Sequence, residues 1–186
     1  MSLGKLSKNA FLRIPSTIYI DVIRGTPLFV QILLTYFGIP SLVSQLTGQP
    51  FRLNPLFSGV LVCSLNSGAY ISEIFRAGIK SIHKGQTEAA VSLGMPKTMV
   101  MRFIILPQAF KRIIPPLGNE FIILLKDTSI LAVIGVTELT RMGQLYVSVT
   151  FEAFSTYIGV ALVYLIMTLT ISRVIAWLEK RFKLND

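Results

Sequence analysis

The sequence has few of the residues that build disulfide, metal and catalytic sites. Its 186 residues include one cysteine, one histidine and one tryptophan, and only 15% are charged. One cysteine, Cys63, excludes a disulfide framework within the chain, and with His83 it is too little for a His and Cys metal site. No G-x-x-x-x-G-K-[ST] pattern occurs, so the sequence offers no P-loop. We therefore expect no catalytic residue, no metal and no cofactor in this chain.

Acidic residues are also scarce. The chain has nine Asp and Glu residues and 18 Lys and Arg residues, which gives a formal net charge of +9 at pH 7. Such a charge is compatible with nucleic-acid binding, but here the basic residues stand between long apolar runs and form no single patch. With 52% apolar residues and a mean hydropathy of +0.65, the chain has too little polar surface to coat a globule. The composition predicts a protein embedded in membrane lipid, with no nucleic-acid partner.

Three long stretches contain no charge, and each reaches the roughly 20 residues that a helix needs to cross a bilayer. They are Pro27 to Phe51, Leu53 to Ser72 and Ala153 to Ser172. A fourth apolar stretch, opened by Pro115 and Pro116 and ending at Val136, also carries Glu120, Lys126 and Asp127. The pattern predicts a single all-α domain with crossings at about 27–43, 55–75, 116–136 and 153–173.

The basic residues orient these crossings, because Lys and Arg are retained on the cytoplasmic side. One side of the predicted bundle carries nearly all of them, whereas the other holds only Arg52 and Arg141. Both ends of the chain and the loop of about residues 80–112 are therefore expected in the cytoplasm. The start, Met1 to Ile14, lacks the apolar core of a signal peptide, so it is interpreted as a basic cytoplasmic segment.

The loop of residues 80–112 is patterned as two short helices. Residues 86–93 are expected to form the first, which Gly94 ends in the left-handed conformation. Pro96 is placed to open the second, and Pro107 to break or kink it. Such a pair of helices across the membrane surface is an element on which another protein can dock.

Docking of this kind needs a carboxylate that binds the partner and small neighbouring residues that permit close approach. It also needs a glycine that sets the angle between the two short helices. The loop supplies them in Glu88, Ala89, Ala90 and Gly94, followed by Ile104, Leu106 and Pro107. Without this spacing, Glu88 would be interpreted as a solvated charge. The spacing resembles the signature of the permease subunits of ABC importers: EAA, three residues, G, nine residues, I, one residue, L and P. Every fixed position matches.

Three other segments resemble permeases for polar amino acids: Arg24-Gly25-Thr26-Pro27, Asn66-Ser67-Gly68-Ala69-Tyr70 and Leu117-Gly118-Asn119-Glu120. The resemblance implies a type I importer-like bundle in the bacterial cytoplasmic (inner) membrane. It implies a second permease subunit, identical or paralogous, an extracytoplasmic solute-binding protein, and ABC ATPase subunits that bind ATP and Mg and receive the docking loop.

Members of this family usually have five spans, and the first should precede Lys5 to Arg13. Its absence is expected to reflect a misplaced start or a shortened form.

Ionisable residues within a membrane usually face a cavity or a partner. Glu120 and Asp127 are seven residues apart and so share a helix face, where a carboxylate can hold the ammonium group of a substrate. Lys126, or a helix terminus, can hold a substrate carboxylate. An alternative is that Lys126 and Asp127 neutralise each other.

A second polar face is predicted on the second crossing, where Tyr70 follows Asn66 by one turn and Ser67 lies beside them. These residues form part of a substrate pathway, or they bond helices together as packing contacts. Glu73, three residues beyond Tyr70, is open to the same two interpretations, the second being a pair with Arg76.

The residues before the first crossing are open to two interpretations. Arg24 is an interfacial anchor or a residue that orders a cytoplasmic gate, with Gly25 and Pro27 making a bend.

The sequence as a whole predicts the permease subunit of an ATP-driven importer of a polar or charged amino acid. The alternative is a nucleotide-independent pore or membrane adaptor in which Glu120, Lys126 and Asp127 form a charged constriction.

Overall fold

The computed structural model describes residues 9–181, and this part of the chain is helical without a strand. Its helices are α1 Ala10–Gly25, α2 Leu28–Thr47, α3 Pro55–Lys80, α4 Lys84–Ser92, α5 Lys97–Val100, α6 Leu106–Asp127, α7 Leu139–Thr150 and α8 Ala153–Arg181. The all-helical architecture predicted from the apolar runs is confirmed. The basic residues before Asn9 and after Arg181 lie outside the described residues.

Two helices of the described part are long and apolar enough, by length and composition, to cross a membrane. They are α2 and α8, which coincide with the first and fourth predicted crossings. The helices of the second and third predicted crossings, α3 and α6, do not meet this criterion. Crossings there stay predictions.

Two π-helical turns mark prolines that the helices accommodate. One turn, Leu34–Gly38, lies inside α2 shortly before Pro40, and the other, Met101–Ile105, joins α5 to α6 shortly before Pro107. A proline in a helix has no N–H to donate and its ring collides with the carbonyl four residues earlier. Widening the preceding turn relieves the collision, as is typical of π-bulges.

The helical path of the third predicted crossing therefore differs from the prediction. Pro107 does not end the second loop helix, since the chain continues from α5 through the π turn into α6. Nor do Pro115 and Pro116 begin a helix, because both lie inside α6. The α-helix ends at Asp127, and a 3₁₀ segment, Thr128–Ile134, completes the stretch that was expected to reach Val136.

Helix α3 lies at the centre of the packing, against α1, α2 and α6, and α6 packs in turn against α8. A glycine lies where α6 packs against α3, and another lies where α6 packs against α8. A Cβ atom at Gly78 of α3 would collide with Ile113, and one at Gly118 of α6 would come within 2.6 Å of the Ile175 side chain. Small residues are what allow helices to approach this closely in membrane proteins.

The segment before the first predicted crossing contains a helix that was not predicted from the sequence. From Ala10 onward it forms α1, whose first turn is capped by the Asn9 side chain, which accepts a hydrogen bond from the Phe11 N–H at 3.0 Å. The hydroxyl of Tyr19 donates to the carbonyl of Leu65 at 2.5 Å, which fastens α1 to the middle of α3. The break between α1 and α2 is thereby held against α3.

Candidate functional site

A cavity of about 470 Å³ lies between the α1–α2 break and helices α3 and α6. Its volume is within the range of about 300–1,000 Å³ typical of small-molecule sites. Four predicted pathway residues line it: Asn66, Tyr70, Glu120 and Asp127. The three residues predicted as a gate, Arg24, Gly25 and Pro27, line it too. Residues that are separate in the sequence thus meet at one place.

The side chain of Gln31 connects the elements that form the cavity through hydrogen bonds. Its amide nitrogen donates to the carbonyl of Ile23 at 2.7 Å and to the Thr26 hydroxyl at 2.8 Å, across the break between α1 and α2. Its amide oxygen accepts from Asn66 of α3 at 3.1 Å. Asn66 is therefore a packing contact as well as a lining residue. Gln31 was not predicted from the sequence, although an amide in an otherwise apolar stretch was a signal for it.

Replacing Gln31 with leucine is expected to destabilise the protein by about 1–3 kcal/mol for each buried polar group that is left without its partner. The side chain keeps nearly the same size, while the carbonyl of Ile23 and the amide of Asn66 lose their partners. Thermal unfolding of the detergent-purified protein measures the effect. Gln45→Leu is the matched control, because Gln45 is exposed and its hydrogen bond, to Ser41, is 3.4 Å long. An equal effect in both variants would contradict the role of Gln31.

The two carboxylates of the cavity lie on α6. Glu120 is buried, with 7% of its surface exposed, and Ser67, which is equally buried, does not line the cavity. Asp127 is the last residue of α6. Within residues 9–181, neither carboxylate has a Lys, Arg or His nitrogen closer than 4.0 Å. Both are thus placed to receive a cationic group from a ligand.

Lys126 takes neither of the two places predicted for it from the sequence, beside a substrate carboxylate or paired with Asp127. It is exposed and is absent from the cavity wall, and in the described part of the chain it forms no ion pair with Asp127 within 4.0 Å. The neighbouring position on a helix points about a quarter turn away, which carries its side chain out of the face shared by Glu120 and Asp127. A cationic side chain does line the cavity, but it comes from α1.

That side chain is Arg24, in the last turn of α1. Its Nη1 lies 3.6 Å from the Oε2 of Glu73, and its guanidinium carbon lies 5.2 Å from the centre of the Tyr70 ring. The same Glu73 oxygen accepts from the Nε of Arg76 at 2.9 Å and from its Nη2 at 2.5 Å. The predicted Glu73–Arg76 pair is present in the structure. Arg24, with 42% of its side chain exposed, faces the cavity.

The loop predicted to dock on a partner has the expected turn. Helix α4 ends at Ser92, and Gly94 follows with a φ of +81°, the left-handed conformation predicted for it. Glu88 and Ala89 are exposed, as are Gly94 and Pro107. These residues are available to another protein.

Other members of the motif pack within the protein. Ala90 is 2% exposed and belongs to an apolar cluster with Val100 and Ile113, against which Ile104 also packs, while Leu106 is half-buried. Ala90 and Ile104 thus set the angle of the loop against the helices.

Two exposed apolar side chains within the motif were not identified from the sequence. Leu93 is 83% exposed and Phe103 is 58% exposed, on either side of Gly94. The signal was available, since large apolar residues in a Lys- and Arg-rich loop have little reason to face water.

The model of one protein family, described as binding-protein-dependent transport system inner membrane component, matches residues 1–184. The chain is 45% identical to the glutamine transport system permease protein GlnP of Escherichia coli (strain K12) over 167 residues, which cover 90% of this chain and 74% of that protein. It is 38% identical to the putative glutamine transport system permease protein GlnP of Rickettsia typhi over 185 residues, which cover 100% of this chain and 82% of that protein.

Solved structures share the fold. A chain of an amino acid ABC transporter crystallised with histidines superposes with a TM-score of 0.88 at 44% identity, over 97% of this chain and 81% of that chain. A chain of the methionine ABC transporter MetNI in an inward-facing conformation superposes with a TM-score of 0.71 at 16% identity, over 94% of this chain and 77% of that chain. The second likeness concerns the fold alone.

Proposed function

We propose, since the chain belongs to the family of binding-protein-dependent transport system inner membrane components, that it is the permease subunit of an ATP-driven importer of a polar amino acid. The observation that carries the proposal is the cavity itself. It gathers an arginine, two carboxylates, an amide and a phenol from three helices of an apolar bundle. Polar and charged groups are costly in a membrane unless they serve a pathway or a partner.

The chemistry of the cavity fits the transport of an amino acid. Glu120 and Asp127 supply anionic oxygens for an ammonium group, while Asn66 and Tyr70 supply groups that donate and accept hydrogen bonds. A polar side chain such as a carboxamide satisfies such groups better than an apolar one does. The two relatives compared above are named as glutamine permeases, which makes glutamine the first substrate to test.

The energy for import is proposed to come from a separate ABC ATPase, which binds ATP and Mg and docks on the exposed part of the loop around Glu88. Closure of the ATPase pair would move α4 and, through the buried contacts of Ala90, the helices that line the cavity. The cavity would then open alternately to each side of the membrane. A second permease subunit and an extracytoplasmic binding protein complete the proposed assembly, with both ends of this chain in the cytoplasm.

Transport in proteoliposomes tests this function. The permease, purified with its ATPase, is reconstituted with the binding protein, and uptake is measured for a panel of radiolabelled amino acids with and without ATP. Uptake that requires ATP supports the importer. Uptake that is independent of ATP would instead support the pore considered in the sequence analysis.

Glu120→Gln is expected to raise the KM for glutamine about tenfold, because a neutral amide replaces the charge that faces the substrate ammonium. The KM from initial uptake rates is the measurement. Glu152→Gln is the control, since Glu152 is an exposed carboxylate between α7 and α8 and does not line the cavity. An unchanged uptake profile across the panel in Glu120→Gln would remove Glu120 from the pathway.

A further inference from the structure

The last turns of α8 carry basic residues on one side of the helix. Arg173, Trp177, Lys180 and Arg181 fall within an arc of roughly 100°, because a helix has 3.6 residues per turn. All four residues are exposed, and Trp177, the only tryptophan of the chain, is 57% exposed. These four residues form the basic face of α8.

No acidic side chain neutralises the basic face within the described part of the chain. Its three basic residues form no ion pair within 4.0 Å among residues 9–181. The acidic residue of the same turns, Glu179, is half-buried on the other side of the helix, where it lines a space of about 250 Å³ with Pro115 and Asn119 of α6. The basic face therefore points away from α6, and its charges are available to another partner.

The position of the basic face along α8 matches the surface of a bilayer. The charge-free stretch from Ala153 to Ser172 gives about 30 Å of helix, which is about the thickness of the hydrocarbon core. Arg173 follows directly, and Trp177 lies about 6 Å farther along the helix axis. The polar region on each side of the core is roughly 5–8 Å thick. Both residues thus lie at the depth of the phospholipid headgroups.

The side chain of Arg181 reaches back toward the same depth. Its guanidinium carbon lies 5.5 Å from the centre of the Trp177 ring, which is one turn nearer the hydrocarbon core. A contact with an aromatic face leaves the N–H edge of a guanidinium able to donate hydrogen bonds. Such an edge binds phosphate oxygens through two parallel hydrogen bonds, and tryptophan is enriched where membrane and water meet.

We propose that the basic face of α8 binds the phosphate group of an anionic phospholipid. The charge and the depth of the face select this partner, because basic clusters next to a membrane-crossing helix attract anionic lipid headgroups. A zwitterionic lipid fits less well, since the cation of its headgroup would meet the basic side chains. The inference does not depend on which solute the protein transports.

Trp177 makes a direct test possible, because its fluorescence is the only tryptophan signal of the chain. The purified protein is reconstituted in phosphatidylcholine vesicles that contain increasing fractions of a phospholipid brominated in its acyl chain near the headgroup, which quenches nearby tryptophan. Brominated phosphatidylglycerol is expected to quench at a fraction at least about fivefold lower than brominated phosphatidylcholine does. The combined variant Arg173→Gln, Lys180→Gln, Arg181→Gln should be quenched alike by the two lipids, and Arg173→Gln alone should lose part of the difference.

Lys80→Gln is the matched control, because Lys80 is an exposed basic residue at the end of another helix, α3. It should keep the full preference for phosphatidylglycerol. Quenching by brominated phosphatidylcholine should be the same in every variant, which verifies that α8 remains in the bilayer.

Equal quenching of the unmodified protein by the two lipids would overturn the inference, as would a full preference in the combined variant. A Trp177 signal that neither lipid quenches would show that protein covers the face, and it would overturn the inference as well. The measurement requires no transport, so an absence of ATP-driven uptake would overturn the proposed function alone.

Discussion

Glu88→Lys is expected to reduce ATP-driven uptake by about 30-fold or more while leaving the amount of protein in the membrane unchanged. Glu88 is exposed on α4, so its substitution disturbs no packing in the permease. At a docked interface the reversed charge would lie against the group that the carboxylate contacts. Removing one partner of a buried, hydrogen-bonded charge pair costs about 2–5 kcal/mol, and reversing its sign adds repulsion.

Three measurements check this result: uptake in proteoliposomes, co-purification of the ATPase and the amount of permease in the membrane fraction. Glu152→Lys is the charge control, since Glu152 is an exposed carboxylate that undergoes the same change of sign away from the loop. Normal uptake in Glu88→Lys would show that the loop does not transmit the energy of ATP. A loss of membrane insertion would indicate a folding defect.

Gly78→Val is expected to lower the midpoint of thermal unfolding by roughly 2–12 °C and to impair uptake. A Cβ atom at this position would collide with the side chain of Ile113, which is 1% exposed. The same Cβ atom would lie 3.5 Å from the carbonyl oxygen of Ala109. Overpacking of this kind costs about 1–3 kcal/mol, and each kcal/mol corresponds to about 2–4 °C in a chain of this size. The collision also separates α3 from α6, the two helices that carry Asn66 and Glu120 into the cavity.

Gly159→Val is the matched control, because Gly159 lies within helix α8 and a Cβ atom there meets nothing within 4 Å. Both variants replace a helical glycine with the same β-branched residue, so their intrinsic effects on helix stability are alike. The difference between the two unfolding midpoints therefore measures the loss of stability caused by a side chain where α3 packs against α6. Equal midpoints would show that this crossing tolerates a side chain.

Much of the architecture was predictable because hydrophobicity and backbone chemistry are local properties. Charge-free runs predicted the positions of α2 and α8. Gly94 indicated a left-handed turn, which glycine adopts without steric cost. The helix of the third predicted crossing begins at Leu106, earlier than expected, because prolines were interpreted as boundaries. A π turn before Pro107 and the position of Pro115 inside α6 show that a helix can adapt to prolines.

The candidate site was predictable only in part. Glu120 and Asp127 share a helix face, and seven-residue spacing is visible in any sequence. Lys126 or a helix terminus was expected to hold a substrate carboxylate, whereas the basic residue that lines the cavity in the described part of the chain is Arg24, about a hundred positions earlier. Adjacent residues on a helix point in different directions, and only packing brings α1 against α3 and α6.

The sequence by itself determined that this chain is helical and apolar, and which family signature its loop carries, since these follow from residue types and spacings along one segment. The tertiary structure decided which polar residues share a cavity, which motif residues remain exposed and that Arg24 lies beside Glu73. Those are contacts between segments distant in the chain. They depend on how side chains fit where helices cross, and a Cβ atom at Gly78 would be enough to change them.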